Sequence, residues 1–146
     1  MSKRWQKTSG KVGISALVCF LLNSASCVYA GSVSPRDCYV NFLTALYYAR
    51  DISAVSNYFT KDRQDAIRKM GPEERKSTLA DFKKYYVSKP VFVAEKIAGN
   101  AARLSVKGVC LAGNKPYNAT VTVEMIKENG YWRVAASSCS GVVQIN

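Results

Sequence analysis

Apolar residues recur three and four apart through the earlier part of the chain and at every second position in the later part. The pattern therefore predicts helices followed by strands. Ser34-Pro35 supplies a serine cap with proline at the first helical position. Tyr39, Phe42, Leu43, Leu46 and Tyr47 follow at helical spacing, then Ile52, Val55 and Phe59. They predict an amphipathic helix in two pieces that ends near Thr60. A second helix covers Arg63 to Met70 and stops at Gly71-Pro72. A third starts at Pro72-Glu73-Glu74, places Leu79, Phe82, Tyr85 and Tyr86 on its apolar side, and ends before Pro90.

Beyond Pro90 the period becomes two. Val91 to Ile97 reads as a strand and Gly99-Asn100 as a hairpin turn. Leu104, Val106, Gly108 and Cys110 alternate with Ser105, Lys107 and Val109, and Ala112 to Pro116 reads as a loop. Ala119, Val121, Val123 and Met125 form the third alternating set. Glu128-Asn129-Gly130 turns the chain into Trp132, Val134 and Ala136, and a short tail follows Cys139. Pairing about the turns sets Val121 opposite Gly108, Val123 opposite Val106 and Ala136, and Met125 opposite Val134. All the apolar sets then share one face, with Lys107, Thr122, Glu124 and Arg133 on the other. Helices first and a four-stranded meander second is an α+β layout, with the helices on one sheet face.

The residues before Ser34 belong to neither pattern. Lys3, Arg4, Lys7 and Lys11 open the chain without an acid among them, and Val12 to Leu22 is apolar. That run is roughly half the length a membrane-spanning helix requires. Small and polar residues lead to Val28-Tyr29-Ala30, so residues 1–30 read as a cleavable signal peptide. An uncleaved anchor would bury Asn23 and three serines in lipid. Lipidation at Cys27 is the other alternative, but Ser24-Ala25-Ser26 lacks the leucine-like residue usual three positions before such a cysteine. The expected product is one exported domain, residues 31–146, either periplasmic or secreted.

Export changes the charge and cysteine counts. The first thirty residues hold four of the 21 basic residues and none of the ten acids, leaving seventeen against ten, a net +7. This balance favours an anionic partner: an acidic protein, an envelope complex or a membrane surface. No nucleic acid is expected, since no recognition motif is present. Three cysteines remain, Cys38, Cys110 and Cys139. An oxidising compartment admits one disulfide, either Cys110–Cys139 across a twisted rim or Cys38 to one of them, and the first is favoured. The chain has no histidine, and its cysteines lack metal-ligand spacing, so neither metal nor cofactor is expected.

Two stretches carry a resemblance: Ile97-Ala98-Gly99-Asn100-Ala101-Ala102-Arg103-Leu104-Ser105-Val106, and Ala119 through Val134. Together with the element order they resemble the nuclear transport factor 2-like superfamily, most of all its small secreted bacterial members and lipoproteins. Lys127 through Val134 fit the hairpin that closes the sheet in those proteins. The resemblance covers roughly Ser34 to Ser138. It implies a sheet curled around the first helix into a cone, with a pocket at the open end that could take a small ligand. Such folds host isomerases, dehydratases and hydrolases as well as binding modules.

Glu95 is the weak catalytic candidate, because the alternation puts it on the apolar face with Val91, Val93 and Ile97, where desolvation would raise its pKa. The competing and favoured reading points it to solvent, or pairs it with a lysine or arginine at the sheet edge. Lys61 to Lys89 holds nine basic residues against five acids. Within it Lys76, Lys83, Lys84, Tyr85 and Tyr86 are candidate binding residues, set against the plainer reading of a solvated, charge-paired helix face. Tyr47, Tyr48 and Tyr58 add aromatic surface nearby. A thiol nucleophile is disfavoured without a histidine to activate it. The reading reached is a non-enzymatic exported binding or assembly module. A small-molecule binder or enzyme using the cone pocket is the alternative, and an inhibitor or immunity protein is a third.

Overall fold

A computed structural model describes residues 33–112 and 115–144. The expected signal peptide and Cys27 lie outside the described residues. Ser34 caps α1 (Pro35–Tyr48) by accepting from the Asp37 amide at 3.1 Å and donating to its carboxylate at 2.8 Å. The expected second piece is a 3-10 helix, Ile52–Tyr58. Local side chains hold it there: the Asp51 carboxylate accepts from the Ser53 amide at 2.8 Å, and the Ser56 hydroxyl donates to the Ser53 carbonyl at 2.8 Å. Such bonds compete with the α-helical ladder. α2 (Lys61–Lys69) begins slightly earlier than the pattern predicts, and α3 spans Pro72–Lys84. Thr60 makes no side-chain cap; the Lys61 amide instead donates to Glu128, in the β3–β4 hairpin, at 3.0 Å.

β1 (Ser88–Ala98), β2 (Ala101–Ala112), β3 (Lys115–Glu128) and β4 (Tyr131–Gln144) form one antiparallel sheet in sequence order. The α+β layout is therefore as expected, and both tight turns lie where Gly99-Asn100 and Asn129-Gly130 place them. Asn129 and Gly130 both have positive φ, 52° and 85°, the requirement of a type I′ hairpin.

The register differs from the expected one in three ways. The strands run to Ala112 and from Lys115, so Ala112 to Pro116 is not a loop as a whole, and the pairing moves by two residues. Gly108 faces Ala119, Val106 faces Val121, and Leu104 faces Val123. A two-residue shift keeps every side chain on its face. In β4, Met125 faces Val134 as expected, but Glu124 then faces Ala136 and Val123 faces Ser137. Ala135 is an inserted bulge residue, which turns Ser137 and Cys139 toward the helices and takes Ala136 off the core face. The tail after Cys139 is not loose: it stays in the ladder, with Gln144 opposite Tyr117.

The core lies between this inner sheet face and the helices. Tyr39, Phe42, Leu43 and Leu46 of α1 are buried together with Leu104, Val106, Val121, Val123, Met125 and Val134. α1 reaches both edge strands, through the Tyr39 ring against Phe92 of β1 and the Cys38 thiol donating to the Trp132 carbonyl of β4.

Asp51 ties the 3-10 helix to α3, since it also pairs with Arg75 at 3.1 Å. The Ser53 amide first, then Arg75, holds its carboxyl below the usual range. A carboxyl lowered on folding stabilises above its unfolded value, and that contribution fades as pH falls through the folded one. Asp51→Ala is therefore expected to lower stability near neutrality and to flatten the loss of stability below about pH 4, read by urea melts across pH. An acid limb identical to wild type would contradict this.

Candidate functional site

The open cleft of about 470 Å³ between helices and sheet is the strongest candidate. α1 and α3 supply its aromatic and aliphatic walls, including Tyr39, Phe42 and Phe82, because their apolar faces meet over the sheet. Ser137, Ser138 and Cys139 of β4 contribute the polar part of its lining, where the Ala135 bulge has reset the strand's facing. Arg63 and Tyr85 also line it. Arg63 lies over the Phe59 ring at 5.9 Å and makes no ion pair among the described residues. Asp81, also in the lining, is bound by Lys84 at 2.7 Å. That bond raises the ammonium's pKa, so Lys84 stays charged.

The phenol of Tyr39 is pushed well up by burial, with Cys110 adding to the shift. Burial likewise raises the Cys110 thiol, ahead of the effect of Cys139. Both groups stay protonated near neutral pH.

Glu95 lies elsewhere. It faces Leu104 across the β1–β2 ladder, so it does point to the helix side, but Val91 pairs with Lys107 on the opposite face and Val93 is a bulge residue. Arg36 at the start of α1 sits 3.9 Å from the Glu95 carboxylate and 4.9 Å from the Phe92 ring centre. Glu95 is thus an edge ion-pair partner, outside the cleft lining.

The basic candidates separate by role. Lys76 pairs with Glu73 at 2.9 Å and Lys84 with Asp81. Lys83 donates to the Tyr47 and Ala49 carbonyls at 3.2 and 2.7 Å, closing the C-terminal end of α1. Tyr85 lines the cleft, while Tyr86 is half-buried against Tyr47. The structure therefore divides the expected face between the cleft and a tyrosine cluster.

The expected Cys110–Cys139 bond is not formed, and both carry free thiols. Cys110 faces Tyr117 while Cys139 faces Val121, on opposite sides of β3 and four residues out of line along it. Strand spacing alone separates the two by about 9–10 Å, beyond the reach of a disulfide. The bulge does put them on the same face, contrary to the alternating pattern.

Ser137, Ser138 and Arg63 were not singled out by the sequence. Arg63 was only one cation in a basic run, and no glycine or proline marks the bulge that aims β4. Among the described residues no three histidine, cysteine, aspartate or glutamate side chains cluster as metal ligands. No helix of these residues is long and apolar enough to cross a membrane.

No family model matches the chain, and no curated protein matches it. A solved structure from Campylobacter jejuni, provisionally described as an NTF2-like transpeptidase, is similar at 20% identity. The similarity covers 71% of this chain and 99% of that one, with a TM-score of 0.47. The chain's own element order, helices followed by a four-stranded antiparallel meander, is the α+β layout described above.

Proposed function

We propose that the protein is an exported binding module that contacts an anionic protein partner and has no acid–base chemistry of its own. The cleft carries this reading. Its size suits a ligand pocket, its walls are aromatic, and Arg63, without an ion pair among the described residues, lines it together with Ser137 and Ser138. Such a site suits an apolar side chain with a carboxylate close by. The positive excess of the exported chain would draw the same partner, and residues 1–30 support the compartment. An inhibitor or immunity protein would be one form of such a module.

A second reading, a small-molecule binder, is favoured by the cleft volume alone. An isomerase or hydrolase built on Glu95 has less support, since Glu95 lies 3.9 Å from Arg36 at the sheet edge and outside the cleft lining.

The test is capture of partners by the tagged protein, exported with its own signal. Arg63→Glu is expected to lose an acidic protein that wild type retains, and about 1 M salt to release it, because screening shortens to about 3 Å there. Capture that survives both changes would refute an anionic partner at the cleft.

A further inference from the structure

We infer that the tyrosine cluster where α1 and α3 end is a docking surface for an extended, carboxylate-rich segment of a protein partner, with Lys83 as its fixed anion anchor. The inference rests on the binding-module reading and adds a surface outside the cleft. α1 has no basic residue in its last turn, so its exposed carbonyls need a cation from elsewhere. Lys83 of α3 supplies it through two hydrogen bonds. An ammonium has three N–H donors, so one remains for a ligand. Its chain is already ordered by the first two bonds, and binding need not repay that entropy.

Around this anchor the rings of Tyr47 and Tyr48 meet edge-on at 5.0 Å, and Tyr86 lies 5.7 Å from Tyr47. Tyr47 is 60% and Tyr48 76% exposed. Clustered tyrosines give rigid contact area at low entropy cost, the chemistry of protein-binding surfaces. Charge selects the partner. Arg50, directly after α1, is exposed and makes no ion pair among the described residues, whereas Lys84 and Asp81 cancel. The cluster therefore has a positive excess that complements carboxylates.

The experiment titrates the protein with a fluorescent peptide of alternating glutamate and leucine at low salt. Tyr48→Ser, which removes an exposed ring, and Lys83→Met are each expected to weaken binding about tenfold or more. Lys107→Gln, on the opposite face of the sheet, should stay within about twofold. Thermal melts confirm that Tyr48→Ser is folded, which keeps the test valid if Lys83→Met unsettles α1. Unchanged affinity in Tyr48→Ser, or no peptide binding at all, would overturn the inference. Loss on Arg63→Gln alone would also overturn it, while leaving the cleft reading intact. Co-sedimentation with phosphatidylglycerol vesicles in place of peptide binding would assign the surface to a membrane instead.

Discussion

Phe59→Ala is expected to remove about 3–5 kcal/mol of stability, the usual cost of emptying a fully buried aromatic site. Phe59 ties the end of the 3-10 helix to α1, α2, α3 and β4. Its ring meets Phe42 of α1 at 5.4 Å and Phe82 of α3 at 5.1 Å. Its backbone bridges Val134 of β4, and its carbonyl accepts from Gln64 of α2 at 2.8 Å. Both ring neighbours line the cleft, so collapse around the vacancy would also disturb the site and unseat Arg63. Domains of this kind are stable by about 5–15 kcal/mol, so the loss is a large share of the total. Urea unfolding should show a much lower midpoint at an unchanged slope. A loss below about 1 kcal/mol would show that the helices do not depend on this ring.

Gly108→Ala is expected to cost about 1–3 kcal/mol, although it adds a single methyl group. A Cβ at Gly108 would lie 2.3 Å from Val87 Cγ1 and 2.7 Å from the Ser88 carbonyl. The second contact is with backbone, where β1 begins and its pairing with β2 is irregular between Ser88 and Val91. Relief therefore requires the edge strand to move. Val87 is fully buried, so its methyl cannot swing into solvent. Combining Gly108→Ala with Val87→Ala should recover part of the loss, since only one of the two clashes disappears, and the two changes should be non-additive. Strict additivity in urea melts would count against this explanation.

Much of this architecture was legible in the chain. Alternation gave the four strands, and the two tight turns fixed their order. The Ser34-Pro35 start and the apolar spacing of α1 located the helix that crosses the sheet. The two-residue slip between β2 and β3 did no harm to the facing, because side chains alternate with period two. The bulge at Ala135 did, because one inserted residue inverts everything beyond it. Ala135 and its neighbours carry no local mark of that insertion, so Ser137 and Cys139 could not be placed in the cleft lining. Gly108 did carry a signal, since glycine inside a strand often marks a close backbone approach. Glu95 was ambiguous for a simpler reason. Its face could be read, but Arg36 reaches it only through the tertiary placement of α1. Lys83 is similar: a helix cap supplied from another helix leaves no spacing to recognise.

A binding module of this kind uses the cleft to recognise an anion beside an apolar group. The most direct test follows amide chemical shifts while 1-naphthylacetate, an aromatic carboxylate, is added to the protein. Saturable shifts are expected at Phe82, Tyr85 and Ser137 through Cys139, abolished by Arg63→Gln with the fold intact. Shifts that avoid these residues, or that persist unchanged in Arg63→Gln, would contradict it.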